Sequence, residues 1–339
     1  MGKRRKSVKL RDIALKAGVS VNTVSRALRN KPDVGEATRR TILNLAKEVG
    51  YTIPGQAISR NKNLLIGVLI QDILNPFYAK VVQGIESVLW QERANFLFGC
   101  SYRQESKERD LLEFFSQQQV DGLLITSVVE PDYVLSFAEH SQIPTVFLSQ
   151  RFEQYQVDYV INDNFEGALM ATEHLLKLGH TRIAHIMSLE TQLSAHERFR
   201  GYQDALTRVG LPVNNRLLRS GDSTIESGYY LTKDLLQSGE PMTAIFAYND
   251  LVALGAFRAL KEANVRVPTD LSLVGYDDIV FAEFFEIPLT TVQQPTLEIS
   301  SKAAEHLFAK IKAGANHKIQ QIVLKPRLAI RSSTSICPA

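Results

Sequence analysis

The sequence is poor in cysteine and contains no long apolar run. Its two cysteines, Cys100 and Cys337, lie far apart, which excludes a disulfide framework and a cysteine-based metal site. No apolar stretch approaches the roughly 18 residues that a membrane-spanning helix needs. The opening MGKRRKSVKLRD is basic but lacks the apolar core and cleavage site of a signal peptide. These absences predict a protein of the reducing cytoplasm with no membrane partner.

Short motifs that carry catalysis or cofactor binding are also missing. There is no G-x-x-x-x-G-K-[ST] phosphate loop, no G-x-G-x-x-G after a predicted strand and no G-x-S-x-G around a nucleophile. Four histidines fall in one stretch without the H-E-x-x-H spacing of a zinc site: His174, His180, His185 and His196. We therefore predict no enzyme activity, no metal and no cofactor.

Positive charge is concentrated at the amino-terminal end. Residues 1–62 hold 15 of the 39 Lys and Arg residues but 4 of the 36 Asp and Glu residues, a net charge of +11 against −8 for the remainder. A solvated charged tail would also be basic, but here the charges lie within an apolar-periodic segment. A basic head on an acidic body therefore indicates a polyanionic partner for the head alone.

The stretch DIALKAGVSVNTVSRAL contains two short helical patterns separated by a turn. The inward face of the first helix is Leu10, Ile13, Ala14 and Ala17, and that of the second is Val24, Ala27 and Leu28. Gly18 can adopt the left-handed conformation that ends a helix, and Ser20 can cap the next one. A third helix is predicted over Glu36–Val49, closed by Gly50. Together the three helices predict a helix-turn-helix module.

The turn directs the second helix outward. Near its N-terminus this helix would present Val21, Asn22, Thr23, Ser25 and Arg26. Short side chains there can reach base edges in a major groove, while helix amides and nearby Lys and Arg side chains bind phosphates. An ordinary three-helix bundle would show the same apolar pattern, but the positive charge favours a DNA-binding module.

The segment VKLRDIALKAGVSVNTVSRALRNKPDVGEATRRTILNLAKEVGY resembles the headpiece of the lactose/galactose repressor (LacI) family. The resemblance implies that Val21 and Asn22 select the operator sequence, and that two headpieces act as a dimer on a near-palindromic operator. It also implies that Thr23, Ser25 and Arg26 contact phosphate and base. The residues expected to contact double-stranded DNA are Leu10, Val21, Asn22, Thr23, Ser25, Arg26, Arg29, Tyr51, Ile58 and Arg60.

The linker TIPGQAISRNKN departs from the family pattern. In the family this segment folds into a hinge helix on the operator, and a leucine wedges into the minor groove, which kinks the duplex. Counting forward from Tyr51 places Arg60 at the wedge position, whereas counting back from Gly67 places Ile58 there. Ile58 has the better chemistry for a wedge, and Arg60 suits a narrow, electronegative groove. A plain flexible tether is the third interpretation.

From Leu64 onward, short apolar runs alternate with helical stretches. The predicted strands are LLIGVLI, NFLFGCS, DGLLIT, PTVFLS, RIAHIMS, AIFAYND and LSLVGYDD. The predicted helices are Tyr78–Gln91, Lys107–Gln118, Tyr133–His140, Glu166–Leu178, Glu197–Val209, Glu226–Gln237 and Leu251–Ala263. Regular alternation of this kind predicts parallel sheets. Because the pattern repeats on either side of VINDNFEG, we predict two similar lobes with a ligand between them.

Polar residues follow several predicted strands, where doubly wound sheets bind ligands. They are Gln71 and Asp72, Asn249 and Asp250, and Asp277 and Asp278, with Arg198 predicted at the start of a helix. Carboxylates and amides can bond sugar hydroxyls, an arginine fork can span adjacent oxygens, and Phe77 or Tyr78 can cover a ring. Turn formation and helix capping are the ordinary alternatives, and they apply most to Asp250 and Asp278.

The body is similar to the periplasmic-sugar-receptor-like core of the same family. The stretches that carry the likeness are GVLIQDILNPFYAKVVQGIE, RFRGY, NDLVALGAFRAL and VPTDLSLVGYDD…PLTTVQQP. The resemblance implies effector-binding positions at Arg198, Asn249 and Asp277. The full set of expected effector-binding residues is Gln71, Asp72, Phe77, Tyr78, Ser149, Arg151, Arg198, Ser223, Asn249 and Asp277. The acid often found after VFL is replaced by Ser149, Gln150 and Arg151 here, and Ser223 stands where relatives carry a large aromatic.

The sequence therefore predicts a helix-turn-helix headpiece (1–52), a hinge or linker (53–63) and a two-lobed α/β core of doubly wound parallel sheets (64–339). The expected function is that of a cytoplasmic, homodimeric transcription regulator whose operator affinity changes with a small molecule, most simply a sugar. The effector can release DNA or act as a corepressor, as in purine-type regulation. An enzyme, an exported solute receptor and a regulator with a protein corepressor are the competing interpretations.

Overall fold

A computed structural model describes residues 10–28, 34–48, 63–126, 131–148, 152, 155–189 and 193–338. The chain divides into two compact units, Met1–Asn63 and Leu64–Ala339. The helices in the described ranges include none that is both long and apolar enough to cross a membrane.

The headpiece contains the three predicted helices: α1 (Leu10–Ala17), α2 (Val21–Leu28) and α3 (Glu36–Glu48). Gly18 has a φ of +66°, the left-handed conformation that ends α1. The hydroxyl oxygen of Ser20 accepts a hydrogen bond from the backbone N–H of Thr23 at 3.0 Å, which caps α2. The predicted last residue of the third helix, Val49, lies outside the described residues, as does Gly50.

The three helices enclose a small apolar core. Ile13, Val24 and Ile42, one from each helix, are fully buried. Around them pack the buried Ala14, Ala27, Leu28, Val34 and Ala46 and the partly buried Leu10, Ala17, Val19 and Leu45. The predicted inward faces of α1 and α2 are confirmed, and burial of each large aliphatic side chain contributes about 1.5–3 kcal/mol.

The core unit contains two six-stranded sheets. Its strands in chain order are β1 (Leu65–Ile70), β2 (Asn95–Cys100), β3 (Gly122–Ile125), β4 (Thr145–Leu148), β5 (Tyr159–Asn162), β6 (Ile183–Ser188), β7 (Leu218–Gly221), β8 (Ala244–Ala247), β9 (Ser272–Asp277), β10 (Thr290–Gln293), β11 (Gln321–Leu324) and β12 (Arg327–Ala329). Sheet 1 has the order β11-β5-β4-β3-β1-β2 and is parallel throughout. Sheet 2 has the order β12-β10-β9-β8-β6-β7 and is parallel except for its edge strand β12.

Helices cover the sheets and define the two lobes. They are α4 (Pro76–Gln91), α5 (Glu105–Gln117), α6 (Pro131–Ser141), α7 (Asn164–Lys177), α8 (Leu193–Arg208), α9 (Ile225–Gln237), α10 (Asp250–Glu262) and α11 (Thr296–Ala313). Lobe 1 consists of sheet 1 with α4, α5, α6 and α11, and lobe 2 of sheet 2 with α7 to α10. The predicted two-lobed α/β architecture is confirmed.

The chain crosses between the lobes three times. It passes from β5 to α7 at Asp163, from β10 to α11 at Gln294–Pro295, and from β11 to β12 at Lys325–Pro326. The first crossing lies inside VINDNFEG, the segment predicted to separate the lobes. Each lobe is therefore built from separate chain segments, and the three crossings together form the connection between the lobes.

The seven predicted strands and seven predicted helices of the core all occur, with shifted ends. The sequence interpretation missed α11 and the strands β5, β7, β10, β11 and β12. It also placed Arg198 at the start of a helix, whereas α8 begins at Leu193 and Arg198 lies within it.

Close contact between α9 and α10 requires glycine on both helices. A Cβ atom on Gly255 would lie 1.9 Å from the carbonyl oxygen of Ile225, and one on Gly228 would lie 2.1 Å from that of Val252. Both obstacles are backbone atoms, so the two helices would have to move apart to accept a methyl group.

We expect Gly255→Ala to lower the free energy of unfolding by about 3 kcal/mol, the upper end for overpacking. Helix propensity alone would favour alanine by about 1 kcal/mol, so the sign of the change tests the contact. Denaturant unfolding followed by circular dichroism measures it. Lys261→Ala, at an exposed site on the same helix, is the control and should change stability by less than about 0.5 kcal/mol. A Gly255→Ala protein as stable as this control would contradict the close packing.

Candidate functional site

The outer face of α2 carries the residues predicted to select the operator. Val21 is 44% exposed, and Asn22 and Arg26 are also exposed, whereas Thr23 and Ser25 are half-buried. The hydroxyl groups of Thr23 and Ser20 are hydrogen-bonded at 2.8 Å. The helix thus presents short polar side chains beside its positively polarised N-terminus, an arrangement suited to phosphate and base-edge contacts.

The other predicted DNA-contacting residues are placed differently. Leu10 packs against the headpiece core. Arg29, Tyr51, Ile58 and Arg60 lie outside the described residues. The role of the linker, and the choice between Ile58 and Arg60 as the wedge, therefore stay predictions.

A polar cavity lies between the lobes at the carboxyl ends of both sheets. It brings together most of the residues predicted from the sequence: Gln71, Phe77, Tyr78, Arg198, Ser223, Asn249 and Asp277. Asp72, which was also predicted, is not in this lining; its carboxylate accepts a hydrogen bond from the N–H of Leu74 and lies 3.9 Å from Arg103. Ser149 and Arg151 lie outside the described residues.

Arg198 is the central polar group of the lobe 2 wall. Its guanidinium lies 3.5 Å above the ring centre of Tyr276 and 4.4 Å from that of Tyr248. Its Nε donates to Asn164 at 3.1 Å and its Nη1 to the carbonyl oxygen of Tyr248 at 2.5 Å. Nη2 lies 3.7 Å from the carboxylate of Asp277, so this edge of the fork faces the acid in the cavity.

The charges of this wall are set by burial and by neighbouring groups. Burial alone would lower the pKa of Arg198, but Tyr248 and Tyr276 act against it and the net pKa is raised. Burial raises the pKa of Asp277 to about 6, although Arg198 and a hydrogen bond from Gln294 act to lower it. Asp277 is the last residue of β9 and has a φ of +110°.

The lobe 1 wall is formed by the end of β1 and the start of α4. The hydroxyl of Tyr78 donates to the side-chain oxygen of Gln71 at 2.6 Å. Phe77 and Tyr78 meet edge to face, with ring centres 5.1 Å apart. Asn75 caps α4 by accepting a hydrogen bond from the N–H of Phe77 at 3.0 Å. This wall offers an amide, a hydroxyl and an aromatic edge to a ligand.

Asn249 has a structural role as well as a place in the cavity. Its side-chain oxygen accepts from the N–H of Val252 at 2.8 Å and so caps α10, while its Nδ2 donates to the carbonyl oxygen of Ser223 at 3.2 Å. The adjacent Asp250 is fully buried and accepts hydrogen bonds from Ile279 N–H and the Thr291 hydroxyl.

Asp278 is likewise held by protein groups. Its two carboxylate oxygens accept hydrogen bonds from Arg331 and Gln293. The contacts of Asp250 and Asp278 therefore fit the alternative interpretation, in which these two residues support the structure rather than bind a ligand.

Sequence reasoning missed several lining residues. They are Asn75, Arg103, Thr126, Asn162, Asn164, Leu193, Ser194, Tyr248 and Gln294. Tyr248 directly precedes the predicted Asn249, and Gln294 lies in TTVQQP, so both had a sequence signal. Arg103 had none, because it reaches the cavity from a turn in which it adopts a φ of +58°.

Comparison with known proteins assigns both the headpiece and the core to one family. Residues 9–53 match the model for bacterial regulatory proteins of the lacI family, and residues 63–327 match that for periplasmic binding proteins and the sugar binding domain of the LacI family. The chain belongs to the LacI family. It is therefore a DNA-binding transcription regulator with a small-molecule-binding core.

Individual LacI-family proteins match over nearly the full length. The HTH-type transcriptional repressor CytR of Escherichia coli (strain K12) is 34% identical over 340 residues, 99% of this chain and 99% of the relative. The structure of the transcriptional regulator CelR–cellobiose complex matches with a TM-score of 0.75 at 31% identity, covering 96% of this chain and 99% of that chain. The lac repressor dimer bound to operator and the anti-inducer ONPF matches with a TM-score of 0.72 at 29% identity, covering 97% and 100%.

The raised pKa of Asp277 predicts a pH dependence of stability in this LacI-family core. Its folded pKa of about 6 exceeds the usual 3.8, so the folded state retains the proton that the unfolded chain releases. The contribution of Asp277 to stability should therefore fall as pH rises from about 4 to 6 and then level off, by about 3 kcal/mol in all. The difference in unfolding free energy between wild type and Asp277→Asn, measured against pH, reports it.

Asp270→Asn is the matched control for this titration. Hydrogen bonds from Arg266 lower the pKa of Asp270 to about 2, so its contribution is lost only as pH falls below about 4. A flat difference for Asp277→Asn between pH 4 and 7 would show that the carboxyl is not held in the buried environment described.

Proposed function

We propose that this LacI-family protein is a homodimeric repressor whose operator affinity changes when a sugar or sugar derivative binds between the lobes. It acts in the cytoplasm and has no enzyme activity. The proposed division of labour is a DNA-binding headpiece over 1–52, a linker over 53–63 and an effector-binding and dimerisation core over 64–339. The proposed effector contacts come from Gln71, Phe77, Tyr78, Arg198 and Asp277, with Ser223 and Asn249 lining the floor.

The observation that carries the proposal is the chemistry of the cavity between the lobes. One buried cation, Arg198, lies against one carboxyl, Asp277, and the other predicted polar groups are amides and hydroxyls. Such a lining has donors and acceptors for adjacent hydroxyl groups, and its second arginine, Arg103, lies 3.9 Å from the carboxylate of Asp72. A neutral polyol with one apolar ring face fits this set, because Phe77 and Tyr78 supply an aromatic wall.

Ligand groups on both walls give the effector a way to change the lobe angle. Gln71 and Tyr78 belong to lobe 1, while Arg198, Asn249 and Asp277 belong to lobe 2. A ligand that bonds both walls favours the lobe arrangement in which both sets of contacts form. In a dimer this rotation changes the spacing of the two headpieces, and hence the fit to an operator with two half-sites.

The comparisons support each part of this proposal by analogy. The lac repressor structure is a dimer bound to operator, and the CelR structure holds cellobiose. CytR is named as a repressor. The exposed operator-facing side chains of α2 and the basic headpiece agree with DNA as the partner.

A thermal-shift screen against sugars, sugar phosphates, nucleosides and purine bases tests the effector class. A ligand that binds the folded state raises the melting temperature by mass action. We expect a sugar-class compound to stabilise the wild type and Arg198→Ala to lose at least nine-tenths of that response, because the fork can no longer bond the ligand. Operator binding without effector should stay within about twofold in Arg198→Ala.

The control is Arg208→Ala, which removes an exposed arginine from the last turn of the same helix, where Arg208 pairs with Glu173 and Asp204. Its effector response should match the wild type. If Arg198→Ala and Arg208→Ala respond equally to the effector, the cavity around Arg198 is not the effector-binding site. A response only to purines or nucleosides would contradict the proposed class of effector but not the proposed position of the binding site.

A further inference from the structure

A second polar cluster lies in lobe 1, away from the cavity between the lobes. The carboxylate of Asp158, just before β5, accepts hydrogen bonds through Oδ1 from Nε2 of His306 at 2.7 Å and Nε2 of His317 at 2.9 Å. The other oxygen, Oδ2, accepts from Nζ of Lys310 at 2.6 Å. Asp158 and His306 are 1% and 4% exposed, and His317 is 12% exposed.

The three ligand atoms converge on one point. The two Nε2 atoms and the carboxylate oxygen all lie within 4.8 Å of one another. In a tetrahedral shell with metal–ligand distances of 2.0–2.2 Å, neighbouring ligand atoms stand about 3.3 Å apart. The His–Asp contacts would therefore widen by about 0.5 Å, and the ion would replace the two imidazole N–H hydrogens, whose protons would move to Nδ1 of each ring or to solvent.

Two further groups bond the carboxylate of Asp158. The backbone N–H of Gln320 donates to Oδ1 at 2.8 Å. Lys310 bonds Oδ2 and also the carbonyl oxygen of Thr145 at 3.0 Å, so the ammonium does not occupy the oxygen that both imidazoles reach.

The cluster opens to a groove beside α6. Asp158, Lys310 and His317 line this groove together with apolar side chains that include Leu135 and Phe147. Its volume of about 710 Å³ far exceeds the roughly 30 Å³ that one water occupies in the liquid, so a hydrated ion can enter.

We propose that Asp158, His306 and His317 form a binding site for a divalent transition-metal ion such as Zn²⁺. Two imidazoles and one carboxylate suit zinc, nickel or cobalt and do not suit magnesium or calcium, which prefer oxygen ligands alone. The sequence interpretation predicted no metal, because the three residues belong to no short motif and meet only through the fold. The nearby ammonium of Lys310 lowers the affinity, so we expect a dissociation constant in the micromolar range.

The position of the site gives the ion a structural consequence. Asp158 precedes β5, His306 lies on α11, and His317 lies between α11 and β11. Each of β5, α11 and β11 adjoins one of the crossings between the lobes, although Asp158 and His317 lie before their strands and the crossings lie after them. A bound ion would tie the three segments together in lobe 1, where they otherwise meet through hydrogen bonds.

The test uses the full chain after removal of metal with a chelator and dialysis. Zn²⁺ is titrated by calorimetry, and one site per chain is expected, with His317→Ala binding at least tenfold more weakly. His140→Ala is the control, since it removes an exposed lobe 1 histidine that bonds Ser136 and lies outside the cluster. Equal affinities for the two variants, or no binding by the wild type at 100 micromolar Zn²⁺, would overturn the proposal.

A second pair of variants keeps the test independent of small losses in stability. His317→Cys places a thiolate at the proposed site, and His140→Cys places one elsewhere on lobe 1. With Co²⁺ as the probe, only His317→Cys should show a thiolate-to-cobalt charge-transfer band beyond that of the wild type, whose own cysteines are Cys100 and Cys337. The absence of such a band in His317→Cys, or an equal band in both variants, would show that residue 317 does not bind the ion.

Discussion

The three short crossings between the lobes are the constraint on which the rest of the core depends. Because the chain passes at Asp163, at Gln294–Pro295 and at Lys325–Pro326, neither lobe can fold as one continuous segment. The carboxyl ends of both parallel sheets consequently face a common cavity, and several of its lining residues lie at or beside a crossing. A change in lobe angle can occur only by rotation about these three connections, so a ligand that contacts both walls acts directly on them.

The polar groups of the cavity are held in place by protein contacts before any ligand binds. Arg198 is fixed over two tyrosine rings and by Asn164, and Gln294, at a crossing, bonds Asp277. Burial of these charges is costly unless they are paired, which explains why the arginine and the acid occur together. Preorganisation of this kind lowers the entropy lost when a small polar ligand binds. Removal of Arg198 or Asp277 should therefore affect the stability of the protein as well as its binding of a ligand.

Much of the fold could be predicted because local patterns and tertiary structure agree. The strands of sheet centres, such as β1 and β9, are buried apolar runs, and the headpiece turn has Gly18 and Ser20 where a helix stop and a cap are needed. The edge strands β11 and β12 were missed because they are only four and three residues long and half-exposed. The strand β5 was missed because three of its four residues lie within the segment interpreted only as a lobe boundary.

The cavity was predictable where a residue lies at the end of a strand or within two residues after it, as Gln71, Asn249 and Asp277 do. Arg103 and Asn162 were not, since their places depend on a turn conformation and on a crossing. The Asp158 cluster could not be predicted from the sequence, because its members come from three elements and no spacing along the chain connects them. Sequence patterns report local periodicity, whereas such a cluster is defined by tertiary structure alone.

We propose that ligand binding in the cavity between the lobes and operator binding by the headpiece are energetically coupled. The most direct measurement is a pair of titrations on the wild type: operator affinity with and without saturating effector, and effector affinity with and without saturating operator. Linkage requires the two ratios to be equal, and we expect each to lie between about 5-fold and 150-fold. If both ratios equal one although the effector and the operator each bind, the cavity and the headpiece are not coupled.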